Sequence, residues 1–366
     1  MPFLDQPLPT ADRLAALRII DANFNRAAEA LRVLEEYCRF GLDDGHLTKC
    51  WKELRHSLTK WQSSIPSQDL LASRNTAADV GTSVKTDQEL SRDSIRHVAQ
   101  ASCKRLEQAL RSLEEYAKVL ALPARELEVL RYQTYTLEKA TLLTADSQRK
   151  LADGRLYVLM DGGDSPASFE NRALEICKAG ADIVQLRDKK LNDRELLERA
   201  RLLRQVTRAY GTLFIMNDRS DLAALSAADG VHIGQDELSI QDVRRIVGPE
   251  MLIGLSTHTI AQARQAVLDG ASYIGCGPTF PSGTKHFDSF PGLAFLREVA
   301  AEISLPAFAI GGIALENLPE VLETGMKRVA VGGAVACAAQ PSTSITRMLG
   351  VFRELGPKCD VTHSLP

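Results

Sequence analysis

The residues best suited to chemistry fall in the second half of this 366-residue chain. Gln185, Arg187 and Lys189 alternate along one short run. At a spacing of two they share one face of an extended segment. A forked guanidinium and a point-charge ammonium on one face call for an anion, and a diphosphate suits the pair. An ion pair to Asp218 or Glu237 is the plainer use of the same cations. Asn217-Asp218 and Gln235-Asp236-Glu237 place carboxylates after two later runs. Beside a diphosphate those acids would repel it unless a divalent cation lay between. Mg2+ takes one or two carboxylates together with phosphate oxygens and water, so Asp218, Asp236 and Glu237 are the metal candidates. Asp218 could instead cap a following helix.

Ser256-Thr257-His258 closes a further run, and Gly311-Gly312 and Gly332-Gly333 close two more. Paired glycines leave backbone N–H groups open to phosphate oxygens. They also serve as plain tight turns. The segment Pro278–Gly292 has prolines and glycines at both ends and carries Ser282, Thr284 and Lys285, which reads as a mobile lid. A lysine closed over a leaving diphosphate would exclude water from a reactive cationic intermediate. His232, His258 and His286 lack metal-ligand spacing and are read as lining groups.

These residues need elements to hold them at one place. From Gly154 onward short apolar runs alternate with amphipathic segments. The runs are Leu156–Met160, Ile183–Leu186, Leu213–Met216, Gly230–Ile233, Leu252–Leu255, Tyr273–Cys276, Ala307–Ile310 and Arg328–Val331. Strands apolar on both faces and separated by helices imply a parallel sheet. Eight such units predict a closed (β/α)8 TIM barrel, whose chemistry sits at the strand carboxyl ends. Apart from Gln185 and His232, which lie inside predicted strands, the polar groups above follow one. An open doubly wound sheet is the alternative, but the first turn, Asp161-Gly162-Gly163-Asp164, lacks Gly-x-Gly-x-x-Gly.

The first 150 residues have a different period. Ala11–Phe40 places Leu14, Leu17, Ile20, Phe24, Leu31 and Leu34 on one helical stripe. Cys50–Ile65 and Arg92–Leu120 repeat that pattern, and a last helix is predicted from about Ala124 to about Leu143. Pro66 and the polar run Ser73–Thr86 mark a loop. Arg26-x-x-x-Ala30-Leu31-Arg32-x-Leu34-Glu35-Glu36-Tyr37 recurs at a constant offset of 79 as Arg105-x-x-x-Ala109-Leu110-Arg111-x-Leu113-Glu114-Glu115-Tyr116. A duplicated helical hairpin follows from it. The expected fold is therefore α/β: an all-α domain over 1–150, then a barrel domain over 151–366.

Composition bounds the partners. Forty-four basic and 47 acidic residues give a net charge of −3, too balanced to hold a nucleic acid or an anionic membrane by a global field. Seven cysteines, an odd number without a Cys-x-x-Cys pair, read as free thiols in a reducing compartment. No run reaches 18 apolar residues, and the N-terminus lacks a signal-peptide pattern. A cytoplasmic protein with small-molecule substrates is expected, and a homo-oligomer is compatible with the sequence.

Residues 154–354 resemble thiamine-phosphate synthase. The matching strings are QLRDK at 185–189, ND at 217–218, DGVHIGQ at 229–235, GLSTHT at 254–259, GPTFPSGTK at 277–285 and AIGGI at 309–313. The resemblance implies a transferase of thiamine biosynthesis. It would join 4-amino-2-methyl-5-pyrimidinylmethyl diphosphate to a (carboxy)thiazole ethyl phosphate, with Mg2+ as cofactor. It further implies that Gln185, Arg187, Lys189, Asn217 and Lys285 hold the pyrimidine diphosphate and that Ser256 approaches the pyrimidine. Arg187, Lys189, Lys285 and Ser256 would be the catalytic set. Ser282, Thr284, Gly312, Gly332 and Gly333 would meet the thiazole phosphate, and Asp218 with the acid two residues after Gln235 would hold the metal. Two positions depart from the family pattern. That acid is Glu237 where Asp is usual, with Asp236 one step earlier, and the turn at 332–333 is Gly-Gly where a Ser often supplies a hydroxyl. A barrel that only tautomerises the thiazole is the alternative, and it would not need the diphosphate residues. The helical half resembles an extension fused to a subset of these synthases. The resemblance implies either a structural or oligomerising role or a kinase acting on the pyrimidine monophosphate. No phosphate-loop motif accompanies it; Ser73-Arg74-Asn75-Thr76 is its best polar candidate outside the repeat.

Overall fold

The computed structural model describes residues 10–75, 92–281 and 290–355, and the chain divides into two compact units, Met1–Leu142 and Leu143–Pro366. The helical unit holds α1 (Thr10–Glu36), a wide turn over Tyr37–Gly41, α2 (Gly45–Gln62), α3 (Ser67–Ser73), α4 (Ile95–Val119) and most of α5 (Ala124–Lys150). The division falls inside α5, whose last turns belong to the second unit. Two of the helix starts have a local cause. Asp44 caps α2 by accepting from the Leu47 amide at 2.7 Å, and Ser94 caps α4 through the His97 amide at 3.1 Å.

Within this unit α1 packs along α4, so the two copies of the repeat lie side by side. Trp51 and Trp61 are fully buried, and each indole N–H still finds a partner: Thr141 Oγ1 and the Pro123 carbonyl, both at 3.0 Å. The repeated acids are buried clamps. Glu35 accepts from Arg55 at 2.8 Å. Its counterpart at offset 79, Glu114, accepts from Arg111 at 2.8 Å, Lys118 at 3.2 Å and Arg131 at 3.1 Å. The duplicated glutamate thus joins helices, through Arg55 of α2 in one copy and Arg131 of α5 in the other. Arg74, from the polar run after α3, grips Asp21 of α1 with both ends of its guanidinium at 2.6 and 2.8 Å.

The second unit is a closed barrel of eight parallel strands in chain order, with β1 pairing β8. The strands are β1 (Leu156–Met160), β2 (Ile183–Leu186), β3 (Leu213–Asn217), β4 (Gly230–Ile233), β5 (Leu252–Thr257), β6 (Tyr273–Cys276), β7 (Ala307–Ile310) and β8 (Val329–Val331). The helices are α6 (Pro166–Lys178), α7 (Asp193–Tyr210), α8 (Ser220–Leu225), α9 (Ile240–Val247), α10 (Ile260–Asp269), α11 (Gly292–Glu302), α12 (Leu318–Leu322), α13 (Gly333–Ala336) and α14 (Pro341–Leu355). Their caps are encoded locally: Ser165 and Asn192 form capping boxes, and Gly211 ends α7 in the left-handed region.

The barrel interior is filled. Tyr157, Ile183, Ile215, Leu252, Tyr273, Phe308 and Ala330 form one buried cluster with Leu151. Tyr157 and Tyr273 each meet Phe308 edge to face and are tilted at 59° to each other, with centroids 5.3 to 6.0 Å apart. Two glycines make room above them. A Cβ at Gly254 would lie 2.1 Å from Tyr273 Cζ, and one at Gly275 would lie 3.3 Å from His232 Cε1. Glycine inside a strand marks such close approach.

Candidate active site

The strand ends bring several of the sequence-predicted residues to one rim. Gln185 sits inside the barrel on β2 and is 2% exposed. Arg187 and Lys189 follow where β2 has ended, Arg187 half-buried and Lys189 exposed. The acid between them, Asp188, is taken up by backbone amides. Its carboxylate accepts from the backbone N–H of Lys190 at 2.6 Å, Leu191 at 2.8 Å and Gly162 at 3.0 Å. Burial alone would raise this carboxyl, but the three amides outweigh it and hold it below its ordinary value. Asp188 thereby ties the loop after β1 to the loop after β2. Arg199 of α7, also buried, donates to the Gly162 carbonyl at 2.9 Å and fixes the same turn.

Asn217 ends β3, and Asp218 follows with φ +60°, in the left-handed region that non-glycine residues rarely occupy. The backbone there is tied by Asp218 N–H to the His232 carbonyl at 2.8 Å, and Asn217 Nδ2 donates to Asp218 Oδ2 at 2.6 Å. Asp218 does not cap α8; Arg219 stands at that position and makes no side-chain cap. Arg219 instead binds Asp193 at 2.5 Å and Asp221 at 2.7 Å. Among the described residues no ion pair joins Arg187 or Lys189 to Asp218 or Glu237, so the plainer reading of those cations does not hold in this state. Asp236 and Glu237 are exposed after β4. Glu237 lies in the turn after β4, its Cγ 3.6 Å from where a Gly234 Cβ would stand.

Across the barrel, Ser256 lies on β5 with its Oγ 3.0 Å from His232 Nε2. Gln235 Nε2 donates to the Ser256 carbonyl at 2.6 Å. His232 Nδ1 is 3.2 Å from the Tyr273 hydroxyl, which is 3.1 Å from the Tyr157 hydroxyl, which accepts from Gln185 Nε2 at 2.7 Å. Burial first, and the nearby Arg187 charge second, push His232 down to about 4, so the ring is neutral at pH 7. Burial pushes both tyrosines up, which keeps their hydroxyls protonated. His258 Nδ1 lies 2.5 Å from the Gly277 carbonyl at the end of β6.

Gly311 and Gly312 follow β7 with φ +100° and +65°. A Cβ on Gly312 would lie 2.7 Å from the Pro281 carbonyl oxygen, so close approach to the loop after β6 requires glycine there. Among the described residues nothing lies within 4 Å of a Cβ on Gly333, and only Leu159 Cβ, at 4.0 Å, approaches one on Gly332. Ser282, Thr284, Lys285 and His286 lie outside the described residues. Among the described residues no three His, Cys, Asp or Glu side chains converge as metal ligands. The sequence reading missed Tyr157, Tyr273 and the clamp made by Asp188 and Arg199. The strand glycines Gly254 and Gly275 were the signal that something large approaches β5 and β6.

Fold and rim together define an α/β-barrel enzyme whose polar side chains meet at the strand carboxyl ends. The chain belongs to the thiamine-phosphate synthase family. Residues 156–335 match the family described as thiamine monophosphate synthase, and residues 18–140 separately match the ThiD2 family. A thiamine-phosphate synthase of Rhodopirellula baltica is 46% identical over 339 residues, covering 90% of each chain. One of Synechocystis is 38% identical, covering 97% of this chain and all of its own. Those relatives therefore span the helical half as well. Among solved structures, thiamine phosphate pyrophosphorylase from Pyrococcus furiosus is similar at 33% identity and a TM-score of 0.50. It covers 55% of this chain and 96% of its own. No helix among the described residues is long and apolar enough to cross a membrane.

Proposed function

We propose that the barrel makes thiamine phosphate by joining an aminopyrimidinylmethyl diphosphate to a thiazole ethyl phosphate with release of diphosphate. The observation that carries this reading is the rim itself. Arg187 and Lys189 follow β2, Asn217 ends β3 with Asp218 next to it, and Gln185, His232 and Ser256 supply polar groups from inside β2, β4 and β5. Cleavage of the carbon–oxygen bond to the diphosphate leaves a pyrimidinylmethyl cation, which the ring amino group stabilises. The thiazole nitrogen then supplies the electron pair for the new carbon–nitrogen bond. No protein nucleophile is needed, and the buried thiol of Cys276, pushed up to about 12 by burial, is unsuited to be one.

The protein's work is positioning and charge neutralisation. Arg187 and Lys189 grip the diphosphate, Asn217 donates to it, and Lys285 joins them from the loop after β6. The thiazole phosphate is read by Ser282, Thr284 and the backbone N–H groups of Gly312, Gly332 and Gly333. The oxygen donors at the ends of β3 and β4 fit Mg2+, a hard cation that prefers carboxylates and phosphate oxygens. Asp218, held in place by its backbone, would hold it together with Glu237 or Asp236, both exposed after β4. The bound ion would supply neutralisation of the leaving diphosphate. A cytoplasmic location accords with these substrates. The test is thiamine phosphate formation from both precursors with Mg2+, and its loss in Arg187→Ala.

A second reading concerns the helical unit, whose match to a family of its own favours a separate activity there. A kinase acting on the pyrimidine monophosphate would supply the barrel's diphosphate substrate. ADP release by the full chain, given ATP and that monophosphate alone, supports this reading, and no release above the ATP blank removes it.

A further inference from the structure

Five side chains from five strands form one hydrogen-bonded chain through the barrel interior: Gln185, Tyr157, Tyr273, His232 and Ser256. The chain has a direction. Gln185 Nε2 can only donate, so the Tyr157 oxygen accepts. The Tyr157 hydrogen must then go to its remaining partner, Tyr273. Tyr273 in turn gives its hydrogen to His232 Nδ1. A neutral imidazole that accepts at Nδ1 carries its proton at Nε2, and that N–H points to Ser256 Oγ. Ser256 accepts it and keeps its own hydrogen to give elsewhere. At the other end, Gln185 Oε1 is buried and has no partner among the described residues. A buried amide oxygen left alone is costly and is ordinarily satisfied.

We infer that Tyr157, Tyr273 and His232 are positioning residues that fix the proton order of this chain, presenting Gln185 Oε1 as an acceptor and the Ser256 hydroxyl as a donor to one substrate ring. The inference rests on the barrel's reading as a synthase and names what that site selects. A 4-aminopyrimidine offers an N–H donor on its exocyclic nitrogen and lone pairs on its ring nitrogens, the complement of these two ends. A 4-oxopyrimidine carries an acceptor where the amine would meet Gln185 Oε1. The diphosphate anchors the ring at Arg187 and Lys189, so the oxo ring cannot simply turn over to restore the match. Sites that hydrogen-bond a substrate reject the mismatched analogue far more strongly than apolar pockets do. The two tyrosine rings are packed on Phe308 at 5.3 and 5.6 Å, so the hydroxyls cannot drift from register.

Two measurements on the full-length protein test this. The first is 15N NMR of histidine-labelled protein without substrate, with His232 assigned by His232→Gln. The expected result is the neutral tautomer with its proton on Nε2. A proton on Nδ1, or an imidazolium at pH 7, overturns the inference, since either reverses or breaks the order. The second compares kcat/KM for the amino and 4-oxo diphosphates in the wild type and in Tyr157→Phe and Tyr273→Phe, whose folding is checked by circular dichroism. The preference for the amino ring should fall about tenfold or more in both variants, with KM for the thiazole phosphate unchanged. An unchanged preference overturns the inference. If the wild type forms no thiamine phosphate at all, the synthase reading fails, and the tautomer alone decides the proton order.

Discussion

Gly254→Ala should destabilise the barrel through one identified contact. The backbone at Gly254 is an ordinary strand conformation, so alanine itself fits there. Its Cβ would stand 2.1 Å from Tyr273 Cζ, 2.4 Å from Cε2 and 2.5 Å from the hydroxyl oxygen. The ring must retreat by about 1.3 Å to reach ordinary contact at 3.4 Å. It has nowhere free to go: Tyr157, Phe308 and His232 surround it with centroids 5.5 to 6.0 Å from its own, and it is 1% exposed. Overpacking a filled core costs about 1–3 kcal/mol. For a unit of this size that is a fall of roughly 2–10 °C in the barrel's Tm. Scanning calorimetry measures it, and Gly350→Ala is the control. Gly350 lies in α14 with nothing within 4 Å of a Cβ, so alanine there should stabilise by about 0.5–1 kcal/mol. Tyr273→Leu should relieve the clash, giving a coupling of about 1 kcal/mol in a double-mutant cycle. A Tm for Gly254→Ala equal to that of the unchanged protein would refute the packing argument, because no rearrangement short of moving Tyr273 makes the space.

Further expectations concern charge and function. His232 is held at about 4, below its ordinary 6.5, so the unfolded chain binds the proton more readily between those values. The ring's contribution is intact above about pH 6.5 and is lost as pH falls toward 4, about 3 kcal/mol in all. The groups facing it are Tyr273, Ser256 and the Arg187 charge, and His232→Gln should flatten the denaturant-midpoint profile over that window. Lys285→Ala should lower kcat by at least tenfold while leaving Tm within about 1 °C, since it acts on the leaving diphosphate; an unchanged kcat would count against that role. Asp218→Asn should raise the Mg2+ concentration needed for half-maximal rate, measured by titration, more than Asp236→Asn does. Glu114→Ala should destabilise the helical unit by about 1–3 kcal/mol in urea, because three cations lose one buried acceptor.

The barrel was legible because its strands are apolar on both faces, which turns a parallel sheet into eight countable runs. The strand bounds differ by a residue or two where polar side chains continue the ladder, as at Asn217 and Thr257. The ends of helices were harder to read: α5 continues to Lys150 because nothing in Thr144–Arg149 breaks a helix. The rim residues were legible as charged groups after apolar runs. The interior chain was not, since Tyr157 and Tyr273 have the pattern of core residues and their hydroxyls meet only when β1 and β6 face each other across the closed barrel. Asp188 carries the opposite lesson. It lies in the most charged string of the chain, yet its carboxylate serves the backbone.

The central claim is that the rim joins two phosphorylated substrates. The most direct measurement is quantitation of thiamine phosphate and diphosphate after incubating the purified full-length chain with the pyrimidine diphosphate, the thiazole phosphate and Mg2+. Both products should form in equal amounts, and neither when Arg187 is replaced by alanine. Failure of the unchanged protein to form them, in its folded state and with both substrates present, would contradict it.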